Sequence, residues 1–562
     1  MYFMKFNPNS LLVSLCLFLF VNTSCHVIAQ PTCLNGSYTI GGTTPDFATF
    51  TNAVTELQTA GVCGPVVLDI RTGTYIEQIS VPEIAGTSAN NTITFQSESG
   101  INSDVILQFA SSGTFNDPNY VVQLNGADYI RFQDITIERT GSSTYARVID
   151  FSGSASYNVF DGNILTGRAT GSTSNDNTAI IFSDEANSGI ANNTFRNNEI
   201  LYGFAGIVWD SSSGNSKPGL TVSNNTFLNY RYGLLIDYAT DVVITGNTIT
   251  NNPLNYNNAQ LKGVECFRCE DALTISGNTI TLTDGNTNYG IELQASVGSA
   301  GAVGDISNNM VIVGGTGTSQ GINSGSLTSY KNYYHNSCYT TGANATNASA
   351  FYLNGSSNIN IKNNAFAASV GNAMEILAET ALTSDYNLLY STGTYVGNWD
   401  GNHADLTAFQ ASNGSDANSI SSDPDFIAIT DLHISPSSPA NATAATGLAV
   451  TIDIDGDTRD ASTPDIGADE VGSVVTGLDE VENGFRVYVT QNNTVVVEDA
   501  SGDNLNGIIE ITDMAGRKVF TSDIQIADGV GRLQTTGFIT GIYAITFVTA
   551  NGDKNMSHKV RL

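Results

Sequence analysis

The most regular feature of the chain is a short alternation of apolar and polar positions, plain at Val222-Ser223-Asn224-Asn225-Thr226-Phe227. The unit recurs with its Asn at 163, 193, 225, 247, 278, 309, 336, 364 and 387. Three residues before the Asn stand residues such as Phe160, Ile244 and Ile361. Two after it come Leu165, Ile249 and Phe366, and the last copy alone departs, with Ser384. The intervals between copies vary while the unit itself holds, which is how fixed strands joined by loops of free length read. Asn tolerates the left-handed region and its amide bonds nearby backbone, so it suits the turn between two strands. Stacked from coil to coil, the Asn side chains form a self-satisfying ladder, with Asn225 expected between Asn193 and Asn247. The apolar neighbours then point inward into one continuous core.

A second strand stands in register with the first. Aligned on Ala179, Gly206, Gly233, Gly263, Gly290, Gly321, Ala350 and Ala373, the positions one and three further on are apolar in nearly every copy. They run from Ile180/Phe182 and Ile207/Trp209 to Met374/Ile376, with Ser324 out of place. Period two is strand and not helix, so the chain is all-β and its middle is a parallel β-helix. Only Pro218 and Pro253 interrupt the rungs, as a sheet that uses every N–H requires.

The ends read differently. Thr44-Pro45 opens a stretch with Phe47, Phe50, Val54 and Leu57 at helical spacing, closed by Gly61. This predicts a short helix that lids the first coil and covers its strand edges. We divide the chain into a signal peptide (1–29), an N-terminal cap with the first coils (30–92), the β-helix (93–435) and terminal coils or a cap (436–470). A linker (471–484) then leads to a domain of short alternating strands (485–562), expected to be a small Ig-like β-sandwich.

Charge and cysteines narrow the class. Lys and Arg total 21 against 53 Asp and Glu, a net charge of −32, which makes nucleic acid and anionic lipid poor partners. Lys5 followed by the apolar run Leu11–Val21 and then Val27-Ile28-Ala29 reads as a secretory signal, too short to span a bilayer. The mature chain is therefore expected to lack a transmembrane segment. In an oxidising compartment Cys33 and Cys63 form a disulfide. Cys266 and Cys338 sit at inward positions as small core residues, and the lone Cys266-x-x-Cys269 pair fits packing better than metal.

Three stretches resemble known families. The rungs look like right-handed parallel β-helix proteins of the pectate-lyase-like type, a fold that houses polysaccharide lyases, glycosidases, esterases and adhesins. Residues 38–81 and the tail DIDGDTRDASTPDIGADE at 453–470 resemble terminal segments of secreted Bacteroidota β-helix proteins. The motifs Ile511-Thr512-Asp513-Met514-Ala515-Gly516-Arg517, Gly541-Ile542-Tyr543 and Lys559-Val560-Arg561 resemble the type IX secretion C-terminal sorting domain. Val487-Tyr488-Val489-Thr490 stands where that family opens with Tyr-Pro-Asn-Pro. The resemblance implies export, then passage through type IX machinery that recognises 485–562, to the cell surface or beyond. It specifies address and architecture and leaves activity open.

Candidate chemistry comes from the register. Outward positions on the second strand read Ile181, Val208, Leu235, Glu265, Glu292, Asn323, Tyr352 and Glu375. Coils roughly 4.8 Å apart make Glu265 and Glu292 neighbours, a carboxylate pair able to serve as acid and base on a polysaccharide. Tyr232, Asp237, Lys262 and Tyr289 would line the same groove and hold substrate. The bland alternative is a solvated polar ladder. Asp453, Asp455 and Asp457 could take Ca2+ through their carboxylates, although Asp side chains bonding turn amides explain the stretch as well. Clustered-Asp and Arg/Lys signatures of pectin-degrading enzymes are missing. Two functions follow: a surface or secreted glycan-binding or adhesion protein, or a polysaccharide lyase or glycoside hydrolase working in the groove.

Overall fold

The computed structural model describes residues 33–110, 118–143, 145–168, 178–184, 188–229, 231–251, 260–471, 485–489, 494–499, 505–513, 517–526, 530–534, 542–549 and 555–561. The signal segment lies outside them. The chain forms a right-handed parallel β-solenoid followed by a small antiparallel β domain.

One coil shows the plan. Tyr232–Asp237 lies on a first face, Val243–Thr245 on a second and Thr248–Asn251 on a third. Each strand pairs in parallel with its counterparts in the flanking coils. The third face is a 12-stranded sheet. The first and second faces merge into a 24-stranded sheet because Ala348–Lys362 and Asn372–Asp385 run unbroken round the corner between them.

The corner between the second and third faces carries the asparagine ladder, with one correction. The Asn225 backbone N–H and Nδ2 both donate to Asn247 Oδ1, at 2.9 and 3.0 Å. Asn225 Oδ1 accepts the equivalent pair from Asn198, each at 2.9 Å. The rung below Asn225 is thus Asn198 and not Asn193. Two overlapping copies of the pattern lie five residues apart, and local sequence cannot choose between them. Long-range register does: Phe195 pairs with Val222 and Ile200 with Phe227. Asn193 belongs to a separate two-rung ladder with Asn158, at 3.0 and 3.1 Å.

The ladder Asn does not make the turn itself. The residue before it takes the left-handed conformation: Asn224 (φ 55°), Gly246 (66°), Gly277 (67°), Asn308 (54°), His335 (53°) and Asn363 (60°). One position bends the chain and the next satisfies the backbone the bend exposes. At the C-terminal end, Asp416 Oδ1 accepts from Ser384, Asn387 and Ser419, and the ladder closes there.

Inside, Phe50, Phe95, Phe132, Phe160 and Phe195 stack in one column, with successive centroids 6.0, 4.9, 5.2 and 5.5 Å apart. Cys266, Cys269 and Cys338 are buried free thiols. One inward assignment shifts by a residue. Ile181 pairs with Ile207 and Ser183 with Trp209, so Ile180 holds the small-residue place and Phe182 faces outward beside Val208. A one-residue slip exchanges the faces of a strand, and a branched residue at a glycine position hid it from the pattern.

Both ends are plugged by a helix that delivers a Phe. The first, Phe50–Ala60, begins later than its sequence suggested: Thr49 is the cap, its side chain accepting from Asn52 N at 3.1 Å, while Phe47 bridges to Ile40. At the other end Leu406–Asn413, capped by Asp405, sets buried Phe409 against Trp399, 6.0 Å between rings.

The segment 436–470 adds no coil. It folds back along the flank of the preceding coils, as does the hairpin formed by Phe426–Ala428 and Asp431–Ile434. Leu432 and Ala468 cover Met310 and Ile312, while Ile434, Ala440 and Ile466 cover Ala365 and Leu388. Polar staples fix it: Ala468 N to Ser337 Oγ at 2.9 Å, Gly467 N to Asn363 O at 2.8 Å, and Ala445 N to Asn363 Oδ1 at 2.8 Å.

In the C-terminal domain a three-stranded and a four-stranded antiparallel sheet share one core, in which Val495 and Val497 meet Ile509, Ile511, Ile545 and Phe547.

Candidate groove on the first sheet face

The first face owes its shape to the glycines at the start of its strands. A Cβ on Gly233 would lie 2.5 Å from Gly263 O and 2.7 Å from Ile249 Cγ2; on Gly263 it would lie 2.5 Å from Gly290 O. No side chain fits there, so the strand runs close against the third face and its outward positions face a shallow trough. From Val208 onward the outward row follows the register expected: Val208, Leu235, Glu265, Glu292, Asn323, Tyr352, Glu375 and then Asn398.

Glu265 and Glu292 are direct neighbours across two coils, and a cation lies between them. It is the chain's own: Lys262 Nζ is 2.8 Å from Glu265 Oε1 and 2.6 Å from Glu292 Oε2. The position of Lys262 follows from its place three residues before Glu265 on the same strand, next to Tyr232 and Tyr289 in the flanking coils. Burial alone would lower its pKa, but Glu292 and Glu265 outweigh burial and carry it above the usual value. Glu292 is further held by Gln294 Nε2 at 2.6 Å, a partner the sequence pattern did not single out. The two acids differ in access: the Glu292 side chain is 3% exposed and that of Glu265 22%. Burial pushes the Glu265 carboxyl up, against the pull of Lys262. Tyr232 is buried and Tyr289 half-buried, its ring 5.7 Å from Lys262 Nζ.

Beside this triad lies a cleft of about 230 Å³. Val208, Leu235 and Phe267 form its apolar floor, and Asp210, Asp237 and Glu265 its polar rim. Burial, then the charge of Asp210, push Asp237 up to about 7. Two further hollows continue along the same face. One, of about 350 Å³, includes Tyr289, Gln320, Asn323, Tyr352 and Glu375; the other, of about 230 Å³, includes Asn372, Glu375, Tyr395 and Asn398. They share Thr346 and Glu375. Tyr352 and Glu375 were legible as outward positions, whereas Thr346 and Tyr395 come from loops that carry no periodic signal.

Several other residues resolve into structure. Cys33 and Cys63 form the disulfide, with Cα atoms 5.5 Å apart. Trp209 is inward core, and Trp399 packs on the end helix with Nε1 3.2 Å from Glu379. Tyr333 is fully buried and Tyr339 lies against Phe426. Gly317-Thr318-Ser319-Gln320-Gly321 has the spacing of a hydrolase nucleophile motif, but Ser319 is fully buried at the start of a strand. That is not the exposed strand-to-helix elbow such a serine needs.

Asp453, Asp455 and Asp457 are not gathered around one point. Asp453 Oδ1 accepts the amides of Asp455 and Asp457 at 3.0 and 2.8 Å, and its Oδ2 accepts that of Glu470 at 3.0 Å. This is the turn-bonding arrangement. Among the described residues, one group of three possible ligands does converge, His433, Asp455 and Asp469. Both ring nitrogens of His433 already face carboxylates, Asp431 at Nδ1 and Asp455 at Nε2. Burial would lower its pKa, but those two hydrogen bonds outweigh burial and bring it up to about 9.

Residues 114–299 match the family model described as the right-handed beta helix region. No curated protein matches the chain. Among solved structures it is similar to a rhamnogalacturonan lyase (12% identity, TM-score 0.34), covering 76% of this chain and 95% of that one. It is similar also to the rice weevil pectin methyl esterase (13%, TM-score 0.26), covering 44% of this chain and 81% of that one. A third is the tailspike protein gp49 of Acinetobacter baumannii bacteriophage Fri1, a capsular polysaccharide depolymerase (11%, TM-score 0.19), covering 94% and 78%. The matched family region holds the candidate cleft and the Lys262 triad, and it describes the solenoid in which they sit.

Proposed function

We propose that the protein is an exported glycan-binding protein that holds an extended polysaccharide along the first sheet face. One observation carries this reading: hollows run along successive coils from Asp237 to Asn398, bordered by tyrosines, amides and carboxylates. Sugar polymers are bound by such a mixture, aromatic faces for the ring and fixed polar groups for the hydroxyls. The test is affinity electrophoresis of the mature chain against a panel of soluble polysaccharides. Retardation by at least one polymer, reduced in Tyr289→Ala and Tyr352→Ala, is expected. No retardation by any polymer would end the reading.

A second reading, cleavage of the bound polymer, is favoured by Asp237. Its carboxyl sits in a cleft with Asp210 and Glu265 and is brought up to about 7, where a general acid is useful. The same panel, scored for new reducing ends or unsaturated products, separates binding from turnover. Glu265 enters this reading as the base opposite Asp237, while Glu292, 3% exposed and held by Lys262 and Gln294, lies out of a substrate's reach.

We also propose that residues 485–562 direct the protein through type IX machinery after removal of the signal segment. The terminal motifs and the separate β domain formed by the described residues of 485–562 support this. Deleting 485–562 should leave the solenoid in the periplasm; unchanged export of the truncated chain would remove the argument.

A further inference from the structure

We propose that the groove selects a polymer carrying amine groups, a partly de-N-acetylated amino-sugar polysaccharide, and turns polyuronates away. This rests on the glycan-binding reading above and specifies its substrate class.

The first support is the distribution of charge. Between Arg268 and Arg459 the sequence holds only two cationic residues other than histidine, Lys331 and Lys362. Lys331 is fully buried inside the solenoid, and Lys362 ends a strand of the second face beside Tyr334 and Asp385. Among the described residues, the hollows between Tyr289 and Asn398 are lined by no Lys or Arg. At its N-terminal end Lys262 is held by Glu265 and Glu292, Arg231 lies over the Tyr232 ring at 5.1 Å with Nε donating to Gln260 O, and the Arg268 guanidinium lies over the Phe267 ring at 5.2 Å. Asp237 and Glu375 stand at the rims of the hollows.

The second support is an acceptor in want of a donor. Asn323 is 7% exposed and lines the central hollow. Its Nδ2 donates to Gln320 Oε1 at 2.7 Å, while its Oδ1 has no hydrogen-bond partner among the described residues. A buried acceptor left unmatched costs free energy that a ligand N–H or O–H recovers. One coil above Tyr352, Glu375 sets a carboxylate against the same hollow, where the Ser349 hydroxyl donates to it. An ammonium donates to both acceptors and neutralises the Glu375 carboxylate; a uronate's hydroxyls can serve Asn323, but its carboxylate meets like charge at Glu375.

Tyr289 and Tyr352 lie two coils apart and also three residues apart across the strands, since Tyr289 aligns with Gln320 and Ser349 while Tyr352 aligns with Asn323 and Glu292. Both border the central hollow, set diagonally across it.

The experiment is titration calorimetry with the mature chain at physiological ionic strength. The probes are oligomers of glucosamine, of N-acetylglucosamine and of galacturonate, matched in length. The glucosamine oligomer should bind most tightly, the N-acetylated one about tenfold more weakly, and the uronate not measurably. Glu375→Gln should bring the glucosamine oligomer close to the N-acetylated value, and Tyr352→Ala should weaken both sugars. Galacturonate or N-acetylglucosamine binding as tightly as glucosamine overturns the inference and leaves the glycan reading standing. So does glucosamine binding that neither variant weakens, because the net charge of −32 then accounts for it. If none of the three binds and the wider polymer panel also fails, both readings fall; if only the panel succeeds, this inference falls alone.

Discussion

Arg459 under the folded-back tail and Lys262 on the groove face are both buried cations set against carboxylates, yet the rest of their partners differ. Arg459 Nη1 is 3.2 Å from Glu470 Oε2, and Nη2 donates to Asn308 Oδ1 at 2.8 Å, Gly467 O at 2.9 Å and Ala468 O at 3.1 Å. Glu470 in turn accepts the amides of Asp460 and Asp465, both at 2.9 Å. Most of those contacts are to backbone. The tail has few regular strands, so its N–H and C=O groups need side chains as partners. On the groove face the parallel ladders already pair the backbone, and Lys262 meets only side chains. Charge in the tail replaces missing secondary structure, whereas charge on the sheet is available to other charges and to ligands.

Removing one cation from each cluster tests this. Arg459→Met leaves Glu470 buried without its counter-ion and strips three acceptors, so a loss of about 3–5 kcal/mol is expected in denaturant unfolding. Faster proteolysis within 436–470 should accompany it. Lys262→Met should cost less, roughly 2–3 kcal/mol, because Glu265 keeps water and either carboxyl can take up a proton. The second step is decisive. Lys262→Met with Glu265→Gln and Glu292→Gln should regain most of the loss, while Arg459→Met with Glu470→Gln should not, since its backbone partners stay unmatched. Equal recovery at both sites would erase the distinction.

The same contrast explains what could be read from sequence. Side chains on regular strands obey period two, so the core column, the outward row through Glu265 and Glu292 and most of the asparagine ladder were visible in the pattern. The errors arose where two registers were locally equivalent, as at Asn193 and Asn198, or where a large residue filled a small-residue place, as at Ile180. Lys262 was visible as a groove residue, but its bridging of two carboxylates needs lysine length and strand spacing together. The tail was hardly legible. Its Asp-rich run allowed a cation or Asp side chains bonding turn amides; Asp453 does the latter, whereas the pairing of Asp455 with His433 had no local signal. Irregular backbone selects its partners by three-dimensional closure, and no periodicity announces them.

His433 sharpens the comparison through pH. Its folded pKa of about 9 lies above the ordinary histidine value near 6.5. A raised folded pKa means that the native state binds the proton more tightly than the unfolded chain. Its contribution is therefore complete below the unfolded value and is lost as pH rises through about 9. The stability advantage that His433 confers should fall away between roughly pH 7 and 10. His433→Gln should be less stable at pH 6 and converge on the wild type by pH 10. Parallel curves for the two proteins would show that the imidazolium does not staple the tail.

The smallest effect on stability should come from the groove, and it separates a surface kept for a ligand from one kept for folding. Tyr352 stands outward and half-buried; its hydroxyl accepts from Asn354 Nδ2 at 3.3 Å. The backbone around it is paired to both neighbouring coils, so Tyr352→Ala removes no backbone partner. A change within about 1 kcal/mol is expected, as for surface substitutions generally. Binding should respond quite differently. Loss of an aromatic platform removes apolar and stacking contact with the sugar ring, and a fall in affinity of about tenfold is expected. Measured together, unfolding and polymer retention place Tyr352 on one side of the comparison. Intact stability with weakened retention makes it part of a binding surface. A loss of several kcal/mol with retention unchanged would instead place it with Arg459, among the residues that hold the chain together.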